Sequence, residues 1–387
     1  MNRYQKVKKI FYLIKVKMEN KAVKLQVFPL IFKLLTSLTL VCLLLSYIAP
    51  YFHPNTISIL PFFGICYPIF AIATFVFLLF WAIFRSKWAL ICLFFLLIGG
   101  KLHFRTFAFQ LMPKSEVPEK SLSIMSYNVR LFGIYDDNSF EKRNAIFSYM
   151  RNQHPDVACF QEYYHQDKPT KFETFDSIVN AMKSVDYHER TAHKRKGRKN
   201  FGVAIFSKFP MIAKGDVIFE AQSANDFNYC IFADIIKNQD TFRVYSVHLQ
   251  SIKFSESEEE VKGTDEQAIP IKSTVISMIK KLKEAFQKRA EQSRRIIIHM
   301  KTSPYPTVVC GDFNDTPMSY TYNQFDRLLV DAFRNSSWGI GRTYNGRLPA
   351  GRIDYIFHSP NLSSTGFKIQ KEIFSDHLAI SCKIYKP

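Results

Sequence analysis

The 387-residue chain contains no CxxC pair and no cluster of Cys with His, so its seven cysteines support neither a structural zinc site nor a dense disulfide framework and read as free thiols. It also lacks GxGxxG and the P-loop pattern GxxxxGK followed by Ser or Thr, which removes dinucleotide-binding and P-loop readings and with them a nucleotide cofactor. Acidic residues are scarce: 33 Asp and Glu face 52 Lys and Arg, a formal net charge of +19. The deficit is local. Residues 1 to 27 hold eight Lys/Arg against one Glu, whereas residues 106 to 387 hold 39 against 32, a balance of only +7. A charge concentrated in a tail signals membrane topology more than it signals a partner.

What the chain has in excess is apolar length. Residues 28 to 49 carry one charge, Lys33, near one end where its stem can snorkel. Residues 61 to 84 carry none over more than the ~20 residues a bilayer core requires. Residues 88 to 100 reach spanning length when extended to about 107, with Lys101 and Arg105 at the far interface beside Phe104 and Phe107. Trp81 and Trp88 stand at span edges, where indole rings favour the headgroup level. The apolar stretch starts too late and runs too long for a cleaved signal peptide. The expected organisation is therefore a basic cytoplasmic tail (1 to 27), an anchor of three helices (28 to 109) and a catalytic domain from about 120 to 387. The loop 50 to 60 has no Lys or Arg, while Arg85 and Lys87 mark the next one, so the positive-inside rule places the C-terminal domain outside an inner membrane. Lys101 and Arg105 weigh against that side.

Beyond residue 121, strand-like runs alternate with helical ones. SLSIMSYNV is followed by the helical FEKRNAIFSYMRN and then PDVACFQE. FGVAIFSK, NYCIFADII, TFRVYSVHL, TVVCGDF, RIDYIFHS and HLAISCKIY come later. Eight strands in one α/β domain imply two packed sheets rather than a doubly wound fold. A long amphipathic helix over 273 to 301, with Val275, Ile279, Leu282, Phe286 and Ile297 among its apolar positions, is expected to pack on a sheet. HKRKGRK (193 to 199) and SESEEE (255 to 260) read as solvated loops.

The informative feature is where polar residues fall. Asn128, Glu162, His248, Asp312 and Asn314 sit at or near strand ends, Asp354 lies in RIDYIF, and Asp376 and His377 precede the final strand. Apolar strands that deliver carboxylates, amides and imidazoles to one sheet edge would assemble a hard-oxygen cation site beside proton-transfer groups.

Taken in order, YNVR, QE, HL, GDFND, RIDYI and SDH resemble the endonuclease/exonuclease/phosphatase superfamily over roughly 120 to 387. The resemblance implies a four-layer α/β sandwich, here preceded by a helical membrane anchor, and hydrolysis of phosphoester bonds with Mg²⁺ or Mn²⁺. Under it, Glu162 is the metal-binding glutamate, with Asn128 in the same site and Asp376 as a further ligand. Asp312, helped by Asn314, orients or deprotonates the attacking water. His377 contacts the phosphate with Asp354 holding its ring, and His248 is the second phosphate-binding histidine. Arg130 occupies a position where some members have Asp, as in DNase-like and sphingomyelinase-like branches, while the inositol-phosphate branch does not match. Tyr163, Tyr164 and Tyr229 are unassigned candidates for a phosphate-facing tyrosine.

The expected function is a membrane-anchored metal-dependent phosphodiesterase. A nuclease-like substrate is favoured because Arg130 and GDFND resemble DNase-like members, with a phospholipid or sphingomyelinase-like substrate as the alternative and a silent scaffold as the reading from another class. HKRKGRK could meet nucleic-acid phosphates or anionic headgroups equally well.

Overall fold

The computed structural model describes residues 29–109, 120–195, 198–219, 228–252, 271–346 and 351–387. The basic tail, the acidic block 255 to 260 and most of the connection from 110 to 121 lie outside the described residues. Three helices open the chain: α1 (Pro29–Tyr51), α2 (Leu60–Ile83) and α3 (Trp88–Thr106), each long and apolar enough to cross a membrane.

The chain divides into two compact units, one of the residues up to Tyr47 with Cys66–Gly100, the other of Ile48–Ile65 with Lys101–Pro387. In the first, Trp81 Nε1 donates to Thr36 Oγ1 at 3.0 Å, and Leu40, Trp81 and Cys92 form a small buried cluster. Large apolar side chains such as Leu34, Leu90 and Leu97 remain exposed. At Gly100 the backbone leaves helical geometry (φ 34°, ψ −112°), a bend glycine tolerates because it has no Cβ.

The second unit takes in more than the expected 120 to 387. It starts at Lys101 and includes the connection between α1 and α2. Arg105, expected at a membrane interface, is part of this unit. It is buried, its Nη2 lies 2.7 Å from Asn323 Oδ1 and 2.9 Å from Asp326, and its carbonyl accepts from Arg352. A guanidinium neutralised by a carboxylate inside a protein is no longer a topology signal.

Strands and helices then follow in the order β1 (Ala108–Phe109), β2 (Leu122–Asn128), α4 (Ser139–Gln153), β3 (Val157–Gln166), α5 (Phe175–Met182), β4 (Asp186–Arg195), β5 (Lys199–Ser207), β6 (Met211–Val217), β7 (Tyr229–Lys237) and β8 (Asp240–His248). The chain continues through α6 (Ile271–Met300), β9 (Thr307–Asp312), α7 (Tyr320–Asp326), β10 (Val330–Asp331), α8 (Ala332–Ser336), β11 (Trp338–Gly339), β12 (Asp354–His358), β13 (Ser363–Ile369) and β14 (Ile380–Tyr385). Two six-stranded sheets result, ordered β13-β14-β2-β3-β5-β4 and β10-β12-β9-β8-β7-β6, beside a two-stranded β1-β11 pair.

Alternation along the strands builds the layers. Leu122, Ile124, Val157, Cys159, Val203 and Ile205 of the first sheet share a core with Ile231, Ala233, Val244, Val308, Cys310 and Ile356 of the second. The outer face of the first sheet packs on Ile146, Phe147 and Met150 of α4 and Ile178 and Met182 of α5. The outer face of the second packs on Ile296, Ile297 and Met300 of α6. This is the expected four-layer sandwich. Its central strands are buried on both faces, which is why they read as near-continuous apolar runs. All seven cysteines are free.

Two expectations need correction. Only the C-terminal half of α6 packs on a sheet; Val275, Ile276 and Ile279 in its N-terminal half are exposed. Residues 193 to 195 and 199 belong to β4 and β5 rather than to a loop, because β4 pairs with β5 out to Arg195↔Lys199.

Candidate active site

Each sheet contains one parallel pair, β2 with β3 and β8 with β9; the other pairings in the two sheets are antiparallel. Parallel neighbours end on the same side, so Asn128 closes β2 in register with Gln161, and His248 closes β8 opposite Asp312, which closes β9. On the other flank of Asp312 runs β12, whose first residue, Asp354, is its register partner. His377 lies just before β14, which pairs with β2. Four strands of two facing sheets thus deliver polar side chains to one edge.

Local backbone devices aim them. A bulge in the β3–β5 pairing falls between Phe160 and Tyr163, and within it Glu162 has φ of 47°. A left-handed residue that is not glycine costs of order 1–3 kcal/mol and re-aims its side chain. Asn314 has φ of 53°, a conformation asparagine accepts more readily than most residues. Gly311 is required by close approach: a Cβ there would lie 1.9 Å from the Val247 carbonyl oxygen, at φ of 149°.

Asp312 is the hub. Its Oδ2 accepts from Asn128 Nδ2 at 2.9 Å and Asn314 Nδ2 at 3.2 Å, and its Oδ1 accepts from the Asn314 backbone N–H at 2.8 Å. His248 Nε2 and His377 Nε2 lie 3.7 and 3.6 Å from Oδ2. His377 Nδ1 bonds Asp354 at 3.0 Å, and the Asp354 backbone N–H donates to Thr343 Oγ1 at 3.1 Å. Asp354 pairs with neither Arg352, which bonds Asp331, nor Arg342, which donates to the Tyr344 carbonyl. Burial alone would lower the His377 pKa, but the Asp354 and Asp312 carboxylates outweigh it and raise it to about 10, so the ring is an imidazolium at neutral pH. Burial conversely pushes the Asp354 carboxyl up, against the pull of that imidazolium.

Glu162 stands apart from this knot. Its side chain is 34% exposed, it lies 3.9 Å from His248 Nε2, and its one hydrogen bond among the described residues is a long 3.4 Å contact from Asn128. Asp376 accepts from Ser375 Oγ at 3.2 Å, and the same hydroxyl bonds the Asn128 carbonyl at 2.9 Å.

Glu162, Asp312, Asn314, Asp376 and His377 line one cavity of about 420 Å³. Asn128, His248 and Asp354 buttress its floor. The eight residues singled out in the sequence therefore converge. The cavity also holds residues that were not. Arg289 of α6 is 1% exposed, donates to the Asn314 carbonyl and lies 3.4 Å from Asp315. Its signal was available: it follows Ala285 and Phe286 on the helix stripe that is otherwise buried and uncharged. Tyr344 packs edge-on against His377 with centroids 5.0 Å apart. It takes the place sought for Tyr163, Tyr164 or Tyr229; the first two are buried in the α4/α5 core and the third packs against the core between the sheets.

Residues 29–106 match a domain of unknown function (DUF8431). No curated protein matches the chain. Among solved structures, the endonuclease/exonuclease/phosphatase family protein from Leptotrichia buccalis C-1013-b is 19% identical with a TM-score of 0.50, covering 68% of this chain and 99% of its own. The endonuclease/exonuclease/phosphatase from Bacteroides vulgatus is 16% identical, TM-score 0.51, over 69% of this chain and all but 1% of its own, at 99%. The human Nocturnin catalytic domain with bound sulfate anion is 16% identical, TM-score 0.50, covering 72% of this chain and 100% of its own. These likenesses establish the fold. The sequence of residues 125–377, more than half of the protein, matches the Endonuclease/Exonuclease/phosphatase family, and to that family the chain belongs.

Proposed function

We propose that the protein is a membrane-anchored, divalent-metal-dependent hydrolase of phosphoester bonds. The observation that carries this reading is Asp312, held by Asn128 and Asn314 and facing a His377 that Asp354 keeps charged.

The donor set suits a hard cation. Glu162, Asn128 and Asp376 offer oxygens, and the Glu162 carboxylate is turned into the cavity with little else bound to it. Asp312, Asp354 and His377 also bring potential ligand atoms within 4.8 Å of one another. There, however, His377 Nδ1 is committed to Asp354 and Asp312 to two amides, so Glu162 is the better ligand. When bound, the cation would polarise a phosphoryl oxygen and offset developing charge.

The chain's own residues account for the rest. Asp312 takes a proton from water as its oxygen adds to phosphorus; the P–O bond to the leaving alcohol breaks, and that oxygen receives a proton from His377 Nε2. Asp354 fixes the ring and favours its charged form. Full-length protein in detergent with Mg²⁺ or Mn²⁺ is expected to hydrolyse bis(4-nitrophenyl) phosphate, and Asp312→Ala to lose on the order of 1,000-fold in rate. Equal inertness of both across metals would favour a silent scaffold.

The catalytic unit is proposed to lie outside the membrane, opposite the basic tail. Ile48–Ile65, which carries no Lys or Arg, belongs to the catalytic unit. Asn323 Nδ2 donates to the Pro50 carbonyl at 2.8 Å, His53 packs on Tyr320 and Phe62 on Phe286. A domain bound to the α1–α2 connection shares its side, which supports three crossings and an outward orientation.

A further inference from the structure

Resting on the phosphoesterase reading, we infer that the substrate is a membrane phospholipid whose phosphate enters among Glu162, Asp312 and His377 while its hydrocarbon chain runs along Ile65, Ile252, Met278 and Leu282. The same cavity joins both sets. Its polar end is the site already described. Its lining also includes these four apolar side chains, which serve none of the steps of phosphoester hydrolysis.

Ile65 lies in the first two turns of α2, a 24-residue helix whose remainder is long and apolar enough to cross a bilayer. A site for a freely soluble substrate gains nothing from an apolar residue on a helix long and apolar enough to cross a membrane; a site for a lipid's hydrocarbon chain does. Met278 and Leu282, four residues apart on α6, occupy one face of that helix. Around them the helix stays open to its surroundings, with Val275, Ile276 and Ile279 about half exposed. Only from Ala285 onward does α6 become a buried element. Exposed Lys280 and Lys283 accompany the apolar residues. Exposed aliphatics with lysines on one helical segment form the pattern of a helix lying in the headgroup region, where the lysines meet anionic phosphates.

The basic block that could have marked a nucleic-acid surface is partly spent elsewhere. Lys194 pairs with Asp167 at 3.4 Å, and Arg198 donates to the carbonyls of Asp167 and Pro169. Chain burial is also a larger lever than these exposed charges, since it grows with every buried CH₂ whereas exposed charges are screened by salt.

The test uses the full chain in one detergent at fixed concentration, with Mn²⁺, on a series of 4-nitrophenyl alkyl phosphodiesters from ethyl to dodecyl. We expect kcat/KM to rise at least tenfold along the series, and Leu282→Asn and Ile65→Asn to flatten that rise to less than twofold. Vesicles of phosphatidylglycerol should release headgroup, and a single-stranded DNA oligonucleotide should be cleaved more slowly than the dodecyl ester. A flat series for the wild type overturns the inference even if the variants fail to fold. Efficient DNA cleavage with vesicles untouched overturns it too, while leaving the phosphoesterase reading intact. Inertness toward every substrate would instead overturn the phosphoesterase reading beneath it.

Discussion

Asn128 Nδ2 bonds Asp312 Oδ2 at 2.9 Å, joining the last residue of β2 in one sheet to the last residue of β9 in the other. One amide thus registers the two halves of the sandwich at the candidate active site. Asn128→Asp would place a third carboxylate beside Asp312 and Glu162. We predict a rate loss on the order of 100-fold, greater than for Asn128→Ala, because repulsion is added to the lost hydrogen bond. Steady-state kinetics on both variants checks the ranking.

The charge on His377 gives a pH prediction. Its pKa is raised from 6.5 to about 10, so its contribution to folding is complete below pH 6.5 and is lost as pH rises through 10. Asp354→Asn removes one of the three anions that oppose burial, and the pKa must fall. The wild-type rate should hold on the alkaline side toward pH 10, while the variant's declines from near neutrality. Superimposable pH profiles would show that Asp354 does not set the charge of the ring.

Glu162→Gln keeps the shape and removes the anion. Mn²⁺ titrated into the full-length protein by calorimetry should bind at least about tenfold more weakly in the variant, with a matching rise in the metal needed for activity. An unchanged isotherm would remove Glu162 from the ligand set.

Gly311 offers a stability prediction. Ala at this position sets a Cβ 1.9 Å from the Val247 carbonyl oxygen and 2.7 Å from its carbon, both of them backbone atoms in a parallel pair that cannot turn aside. We expect a loss of about 3 kcal/mol or more, read as a drop in the denaturation midpoint. Full stability would mean that β8 and β9 separate at little cost.

Topology is open to a reporter fused after Lys120. Enzymatic activity in an extracytoplasmic format is expected, and cytoplasmic activity at that junction would reverse the orientation.

The strands legible in the sequence and those that were not divide by position. The runs recognised at residues 121 to 129, 155 to 162, 201 to 208, 228 to 236, 241 to 249, 307 to 313, 352 to 359 and 377 to 385 are all interior strands of the two sheets. Those missed in these two sheets, β4, β6, β10 and β13, are their four edges, and the two-residue β1 and β11 of the separate pair were missed as well. An edge strand has solvent on one flank and often on one face, so DYHERTAHKR lacks the apolar run that marks a strand buried on both sides. The site divides similarly. Strand-end residues such as Asn128 and His248 were legible because a polar group closing an apolar run is conspicuous. Tyr344 and Ile65 were not, since each reaches the cavity from a loop or helix whose own pattern gives no reason to point there, whereas Arg289 left the signal of a lone charge on a buried helix stripe.

The inclusion of Ile48–Ile65 in the catalytic unit bears on how the protein is made. A segment translated early must wait, across two further apolar helices, for Tyr320, Asn323 and Phe286 to emerge before it finds its contacts. The second unit is therefore completed only after both of those helices have been made. Cleavage anywhere after the third helix would separate the rest of the second unit from Ile48–Ile65, leaving it without one of its own pieces.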